Sequence, residues 1–321
     1  MPANREKCPT QMSESLRDLR LFVASYEERS FTAAAERENA TQPGVSQHIR
    51  KIEDRLGVTL FTRTPGAVIP TPAGDTFYHR CIDVLRAYEA ATRSAKEFAG
   101  SLEDSFSVGL MPTLTRRVLA PALARFTEEH PNAAIRIIEA YSPALTLQVR
   151  SGELAFAIVP ALAGAVGLRS RSFLRTPEVL VTSVNSALVH MEPVTLAELA
   201  PLKIIVPSLQ NTRHLRILTY LASNDVRPDR VMELDAMLGT LGLVATSNWA
   251  AILPGIMMEA DELTEPRAFC ANPLSAPSFA LDLVLIEPSR CAMPPAAEAF
   301  LNILVEEALR LNRGWEPFLS T

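Results

Sequence analysis

The chain has 321 residues, of which 48% are hydrophobic and 21% charged, and its net charge is −5. This length allows two or three domains, whereas the lack of a long apolar stretch and of an apolar leader argues against a membrane or exported protein, so we expect it in the cytoplasm. The four cysteines are dispersed, and no nucleophile motif, metal-ligand spacing or Gly-rich phosphate loop is found, so the sequence predicts no metal, no cofactor and no enzyme.

Two helices are predicted at the start of the chain. Apolar residues recur at helical spacing from Leu16 to Tyr26, which is typical of a helix lying on a core. Ser30 then fits an N-cap before a second short helix over residues 32–38. A break at Asn39-Ala40 separates this helix from the next.

The third helix begins in the stretch TQPGVSQHIRKIE. Thr41 suits the N-cap, Pro43 is tolerated in the first turn, and the pair Leu56-Gly57 is typical of a helix end. Its apolar residues lie on one stripe and are Val45, Ile49, Ile52 and Leu56. Its opposite face carries the polar residues Gln42, Ser46, Gln47 and Arg50, which are side chains of the kind that reach base edges and phosphates in a major groove. Three helices with a tight turn before the third predict a helix-turn-helix.

Charge supports only a local nucleic-acid-binding surface. Residues 1–98 carry 14 Lys/Arg against 13 Asp/Glu, and the remainder carries 17 against 23. The first part is therefore close to neutral, and any affinity for DNA must come from one face with Arg50, Lys51, Arg55 and Arg63.

A β-hairpin is predicted after the third helix, with residues 58–61 and 68–69 flanking the turn 64–67.

A heptad pattern follows the hairpin. Apolar or small residues alternate at steps of four and three over three heptads, at Phe77, Cys81, Val84, Tyr88, Ala91, Ala95 and Phe98. That spacing favours a coiled-coil seam and hence a homodimer. Because Ala and Cys are weak seam residues, an amphipathic helix packed on its own domain is the alternative.

Beyond residue 100 short apolar runs alternate with helical stretches. The predicted strands are 106–111, 135–140, 154–159, 179–183, 203–206, 231–234, 250–253 and 281–286. The predicted helices are 117–130, 145–151, 213–224, 237–247 and 296–311. This alternation predicts parallel sheets in an α/β domain.

Hydroxyl side chains follow several of the predicted strands. Thr113 and Thr115 follow the first strand, Ser142 follows the second, and Ser208 follows 203–206. Ligands in α/β domains bind at the carboxyl ends of strands, where helix N-termini favour anions. The pattern favours an anionic effector such as a carboxylate, although each hydroxyl taken alone is more typical of a helix cap.

Several of these residues together resemble one family. The segments Ser30–Ala35, Thr41–Gln47 and Thr71–Gly74, with Leu60-Phe61 between them, resemble the winged helix-turn-helix of LysR-type transcriptional regulators over about sixty residues. The resemblance implies an α/β protein with an N-terminal all-α winged helix-turn-helix, a long dimerisation linker helix and a C-terminal two-lobed effector domain like that of periplasmic binding proteins.

The implied boundaries are residues 13–74 for the DNA-binding domain, 75–99 for the coiled-coil linker helix and 100–321 for the effector-binding domain. Lobe I then covers about 104–175 and 274–312, and lobe II about 176–273. The two crossovers between lobes are expected near residues 173–177 and 269–273.

Functional residues follow from the resemblance. The DNA-binding candidates are Thr32, Gln42, Pro43, Ser46, Gln47, Arg50 and Arg63. The effector-binding candidates are Thr113, Thr115, Ser142, Ser208 and Trp249. The implied partners are double-stranded DNA, a small-molecule effector, a second copy in a homodimer, two dimers in a homotetramer, and RNA polymerase, with no membrane.

The sequence also departs from the family at three places. Glu38 stands where the family usually has Leu, which predicts a carboxylate near the core. The wing, residues 64–70, lacks basic residues, which predicts a low salt dependence of DNA binding. Trp249 replaces part of a Gly-rich turn and either lines the ligand pocket or is structural.

Two functions from other classes remain open at this point. A solute-binding protein or small-molecule enzyme would fit the α/β part but leaves residues 16–74 unexplained, and turnover by the C-terminal region would identify the enzyme. A structural DNA-binding protein would fit the N-terminal part but predicts no cleft ligand, so a thermal-shift screen with small carboxylates separates it from a ligand-responsive regulator.

Overall fold

The computed structural model describes residues 15–64, 67–98, 105–161, 166–199, 201–260, 268–275 and 277–319. Contacts divide the chain into an amino-terminal unit, residues 1–101 with 289–292, and a carboxyl-terminal unit, residues 102–288 with 293–321. Within the described ranges, none of the helices combines the length and the apolar composition needed to span a bilayer.

The amino-terminal unit contains four helices and a hairpin. Its elements are α1 (Leu16–Glu28), α2 (Phe31–Arg37), α3 (Gln42–Leu56), β1 (Phe61–Thr64), β2 (Ala67–Pro70) and α4 (Pro72–Phe98). The predicted helix-turn-helix is present, and β1 pairs with β2 in an antiparallel hairpin. The first strand of the hairpin lies three residues later than the predicted 58–61, and Thr64 and Ala67, expected in the turn, are paired strand residues. The tip of the hairpin, residues 65 and 66, lies outside the described residues.

Short polar residues set where these helices begin. Ser15 and Asp18 form a capping box at α1, and the Thr41 hydroxyl accepts the Gly44 amide at 3.3 Å at the start of α3. Such caps satisfy amides that have no partner inside the helix. Gly57 ends α3 with a φ of 67°, a left-handed conformation that glycine adopts without a steric penalty. The predicted start and end of α3 are confirmed.

One apolar core holds the unit together. Phe22 of α1 and the stripe Val45, Ile49 and Ile52 of α3 are all fully buried. Phe22 contacts the Phe61 ring at a centroid distance of 5.2 Å, so the hairpin packs on the same core as the helices. α3 is therefore fixed along one side by buried aliphatic residues.

Two carboxylates lie near the core of the amino-terminal unit. Glu38, the C-cap residue of α2, has a side chain that is 15% exposed; it accepts a hydrogen bond from Arg290 at 3.1 Å and lies 3.9 Å from the Arg37 guanidinium. The buried carboxylate is Glu27 of α1, which pairs with Arg37 at 2.6 Å and accepts the Tyr78 hydroxyl at 2.9 Å. The prediction of a carboxylate near the core at Glu38 is therefore confirmed, and Glu27 is a second such carboxylate that was not predicted.

The start of α4 packs on its own domain. Cys81 is 2% exposed and belongs to the core of the amino-terminal unit, with Phe77 packed against it. For these two residues the coiled-coil prediction was wrong and the alternative holds. Val84 and Tyr88, the next seam positions, are 48% and 46% exposed. The side chains of Ala95 and Phe98 lie outside the described residues.

The carboxyl-terminal unit is built from nine strands with helices on both faces. Its strands are β3 (Ser105–Leu110), β4 (Ala134–Glu139), β5 (Phe156–Pro160), β6 (Leu168–Ser183), β7 (Lys203–Val206), β8 (Arg230–Glu233), β9 (Trp249–Pro254), β10 (Phe269–Pro273) and β11 (Ala280–Pro288). Its helices are α5 (Pro112–Thr115), α6 (Leu119–Glu129), α7 (Ser142–Ser151), α8 (Arg213–Ser223), α9 (Met237–Thr246) and α10 (Pro295–Asn312).

The strands form a mixed sheet in the order β4-β3-β5-β11-β6-β9-β7-β8, with β10 also paired to β6. β3 is parallel to β4 and β5, and β7 is parallel to β8 and β9. The prediction of parallel sheets is confirmed for these two groups of three. It was wrong for β6, β10 and β11, which pair antiparallel. These strands carry the chain between the two groups, so they run against their neighbours.

Two lobes result from this topology. β6 pairs with β11 over residues 168–177 and with β9 over residues 178–181, so the chain crosses from lobe I to lobe II within one strand. This agrees with the crossover expected near residues 173–177. The segment 269–273 is itself a strand of lobe II, β10, and the return to lobe I follows it.

Candidate functional site

The amino-terminal unit presents one polar face, on α3. Gln42, Pro43, Gln47 and Arg50 are exposed, and Ser46 is half-buried. All five lie away from the fully buried stripe on the other side of the helix. A helix of this length, about 22 Å, with amide and guanidinium groups on its outer side fits a DNA major groove and can bond both base edges and phosphates.

Two further predicted DNA-binding residues lie outside α3. Thr32, in the first turn of α2, is exposed. Arg63 belongs to β1, but its side chain lies outside the described residues. The structure therefore places six of the seven candidates at or near the outer surface of the helix-turn-helix, and their individual roles stay predictions.

A cavity of about 740 Å³ opens between the two lobes of the carboxyl-terminal unit. It lies where β3, β4, β7 and β8 end, which is where ligands bind in open α/β sheets. Its lining residues are Pro112, Glu139, Ala140, Tyr141, Pro143, Ala144, Gln210, Asp235, Ala236, Met237 and Leu238. We call it the inter-lobe cavity.

The predicted hydroxyls lie beside this cavity without lining it. Thr113 and Ser142 are buried, at 3% and 2% exposure, and the Ser142 hydroxyl lies 3.5 Å from the Met111 sulfur. The Thr115 hydroxyl donates to the Glu139 carboxylate, and the Ser208 hydroxyl accepts the Gln210 amide at 3.3 Å. All four are close to the site, and direct effector contacts from them stay a prediction.

Trp249 lies at a different place. It is the first residue of β9 and lines a separate cavity of about 500 Å³ together with Ser247, Asn248 and residues at the end of β6. β7 and β9 are parallel, and the inter-lobe cavity lies at their opposite ends. The structure therefore does not bring Trp249 together with the four predicted effector-binding residues that carry hydroxyls.

Sequence reasoning missed the residues that form the cavity walls. Tyr141, Gln210 and Asp235 each follow a strand by a few residues, and that position alone could have identified them. The Tyr141 hydroxyl donates to the Asp235 carbonyl at 2.5 Å, so it links lobe I to lobe II across the site. Burial, followed by the charges of Asp235 and Glu139, raises the pKa of the Tyr141 phenol.

A buried ion pair lies next to the cavity. Arg213, at the start of α8, donates to both carboxylate oxygens of Glu178, at 2.9 and 2.5 Å, and to the Ile252 carbonyl at 3.0 Å. Both side chains are almost fully buried. The positive charge of Arg213 is therefore already compensated inside lobe II.

Within the described part of the chain, no group of three or more His, Cys, Asp and Glu side chains is arranged to hold a metal ion. Cys81 and Cys270 are buried thiols and Cys291 is half-buried.

Two family models match the chain. Residues 16–75 match a model described as a bacterial regulatory helix-turn-helix protein of the lysR family. Residues 99–309 match a model described as a LysR substrate binding domain. Together they cover the polar face of α3 and the inter-lobe cavity.

Curated relatives align over most of their length. The Hca operon transcriptional activator HcaR of Escherichia coli is 26% identical over 293 residues, which are 91% of this chain and 97% of that protein. The transcriptional regulator BenM of Acinetobacter baylyi is 28% identical over 248 residues, which are 74% of this chain and 80% of BenM. These relatives are transcriptional regulators.

Solved structures show the same fold. An OxyR of Corynebacterium glutamicum has a TM-score of 0.57 at 24% identity, covering 96% of this chain and 97% of its own. Full-length CbnR complexed with its target DNA has a TM-score of 0.51 at 19% identity, covering 92% and 100%. Since the LysR substrate-binding model alone spans more than half of the residues, the chain belongs to the LysR family of DNA-binding transcriptional regulators with an effector-binding domain.

Proposed function

We propose that this regulator reads a specific DNA sequence with the polar face of α3 and that a small molecule in the inter-lobe cavity switches its activity. The observation that carries the proposal is the division of α3 into two sides. Val45, Ile49 and Ile52 are fully buried, whereas Gln42 and Gln47 are exposed. A helix fixed in this way can enter a groove without unfolding its own core.

The residues on this face have different roles. Gln42, Ser46 and Gln47 carry groups that can bond base edges, and Pro43 packs beside them. Arg50 and Arg63 hold the phosphate backbone, and Thr32 supports that contact from the start of α2. Phosphate contacts add affinity for every sequence, whereas base contacts discriminate between sequences.

Two copies are needed to read a two-fold operator. We infer a homodimer paired through α4, which would place two α3 helices in successive major grooves about 34 Å apart. Assembly of two dimers into a homotetramer and contact with RNA polymerase complete the proposal by analogy with the family. Such a regulator acts on chromosomal DNA in the cytoplasm and catalyses no reaction on its effector.

Effector binding would switch the regulator by changing the relative populations of the open and closed arrangements of the two lobes. Both lobes supply walls of the inter-lobe cavity, with Tyr141 from lobe I and Asp235 from lobe II. A ligand that contacts both walls binds the closed arrangement more tightly and shifts the equilibrium towards it. This role agrees with the description of the matched domain as a substrate-binding domain.

Selection of duplexes from a random-sequence library by the full-length protein tests the DNA part. Gln42→Ala should lose about 1–3 kcal/mol of discrimination at one base pair, whereas Arg50→Ala should weaken binding to all duplexes alike. Arg20→Ala is the control because Arg20 points towards Glu89 of α4, 3.6 Å away. Gln42→Ala with unchanged affinity and unchanged sequence preference would contradict the placement of α3 in the groove.

A further inference from the structure

The walls of the inter-lobe cavity carry negative charge only. Its lining contains Glu139 from lobe I and Asp235 from lobe II, and no Lys, Arg or His among the described residues. Both acidic residues are exposed, so they can meet a ligand from opposite lobes. The anionic effector expected from the strand-end hydroxyls would therefore face two carboxylates.

In the part of the chain that the structure describes, the partners of both carboxylates are uncharged. Among the described residues, none of the ion pairs within 4.0 Å involves Glu139 or Asp235. The partners of these carboxylates are neutral donors, the Thr115 hydroxyl on Glu139 and the Ser208 amide on Asp235 at 2.9 Å. Both carboxylates are exposed to the cavity and therefore have room for a cationic partner.

The neighbouring positive groups are already engaged. Arg213 lies close enough to influence Tyr141, but its guanidinium is held by both oxygens of Glu178. The helices α7 and α9 also begin at the cavity, so their N-termini lie there. Their positive ends are matched by Glu139 and Asp235, which precede the helices by a few residues. Pro143, in the first turn of α7, has no amide hydrogen to offer an anion.

We propose that the effector bound in the inter-lobe cavity is an amine, with a protonated nitrogen between Asp235 and Glu139 and an apolar body. This deepens the proposed function, on which it rests, by naming the class of ligand for the same cavity. The remaining lining is mostly apolar and includes Pro112, Ala140, Ala144, Met237 and Leu238. A cavity of about 740 Å³ is of the size that takes small organic ligands.

Matched probes of opposite charge test this proposal. Calorimetric titration of the full-length protein, without DNA, compares cadaverine with glutarate, which has the same number of carbons, and phenethylamine with phenylacetate. At least one amine should bind about tenfold or more tightly than its matching carboxylate, because the two wall charges attract one and repel the other. Tighter binding of either carboxylate, or no binding of both amines, overturns the proposal.

A variant locates the site. Asp235→Asn retains an oxygen that can accept the Ser208 amide but removes the charge, and should weaken amine binding by about tenfold or more. Asp229→Asn is the matched control because Asp229 lies before β8, at the end opposite Asp235, and is exposed. Its amine binding should equal that of the wild type. Equal binding by Asp235→Asn would overturn the assignment to this cavity.

The outcome is separable from that of the proposed function. Sequence-specific DNA binding measured without any ligand supports the regulator whatever the amines do. If an amine binds through Asp235 but leaves the DNA complex unchanged, the cavity takes an amine and the switching role is wrong. If DNA binding is sequence-specific and only carboxylates bind, the regulator stands and the amine proposal falls.

Discussion

Buried arginines paired with carboxylates occur in both units. Arg37 pairs with Glu27 at 2.6 Å in the amino-terminal unit, and Arg213 pairs with Glu178 at 2.5 Å in lobe II. Taking two charges out of water is costly, so such a pair contributes little net stability. Removal of one partner is nevertheless strongly destabilising because it leaves the other charge buried and unpaired.

We therefore expect Arg213→Met to lower the free energy of unfolding by about 3–5 kcal/mol, as measured by urea denaturation. The double variant Arg213→Met with Glu178→Leu should recover most of this loss, since neither charge then remains buried. Arg125→Ala is the control because Arg125 and its partners Glu129 and Glu306 are exposed, and it should change stability little. If the double variant is no more stable than the single one, packing rather than charge explains the loss.

The sequence could not reveal these pairs. Arg213 stands at the predicted start of α8, where an exposed basic residue is the ordinary expectation, and its partner is 35 residues earlier on β6. For Glu38, comparison with the family did predict a carboxylate near the core, but not its partner Arg290, which is 252 residues later in the chain. Burial of a single charge depends on how elements pack, which one-dimensional patterns do not contain.

At the scale of elements, α3 and α4 show how far periodicity can be trusted. Of the predicted apolar stripe of α3, Val45, Ile49 and Ile52 are fully buried, whereas Leu56, the last residue of the helix, is 41% exposed. The apolar stripe of α4 was predicted as a seam, but Cys81 and Phe77 pack on the domain's own core. A helical period identifies an apolar face and leaves open what covers that face.

The exposed part of the α4 stripe leads to a test of dimerisation. Replacing both Val84 and Tyr88 with Asp should raise the dimer dissociation constant by about tenfold or more, because charges are excluded from an apolar seam. Sedimentation velocity gives the mass, and thermal unfolding should be unchanged since both side chains are about half exposed.

Asp83→Ser is the control for this variant. Asp83 precedes Val84 and therefore lies about 100° away around the helix, where it is exposed. Among the described residues its side chain pairs with Arg80, which is exposed, at 3.4 Å. A double variant with the mass of the wild-type protein would show that the copies pair through another surface.

At the scale of the whole molecule, two segments connect the lobes of the carboxyl-terminal unit besides the crossover after β10. β6 runs from lobe I into lobe II without a break. The segment after α10, residues 313–319, leaves lobe I and inserts Trp315 into the core of lobe II, where it is 0% exposed. Its indole nitrogen donates to the Met258 carbonyl at 3.3 Å. The ring lies so close to Gly255 that a β-carbon there would approach it to 2.9 Å.

Removing this connection should uncouple the lobes. Trp315→Ala is expected to cost about 3–5 kcal/mol and to broaden or split the calorimetric unfolding transition of the carboxyl-terminal unit. Phe318→Ala, on the same segment, should cost less because Phe318 is only partly buried. A single sharp transition at the wild-type temperature for Trp315→Ala would show that β6 and the crossover after β10 couple the lobes without the Trp315 contact.

The sequence by itself determined the local structure of this protein. Thr41 and Gly57 set the ends of α3, and alternating apolar runs set the strands of the two parallel groups within a few residues. These features depend on caps, turns and side-chain period, which are interactions between near neighbours in the chain. The family resemblance of residues 30–74 has the same origin, and with it came the assignment as a DNA-binding regulator.

Only the tertiary structure decided which residues form the ligand cavity and with what charge. Glu139 and Asp235 are 96 positions apart in the sequence. Both line one cavity because β4 of lobe I and β8 of lobe II each end at the cleft between the lobes. The strand-end hydroxyls predicted an anion, whereas the cavity walls contain Glu139 and Asp235, on which we base the proposal of a cationic effector. Sequence patterns indicate the secondary structure that each segment prefers. The electrostatic field inside a cleft depends instead on charges from several segments, which only folding brings together.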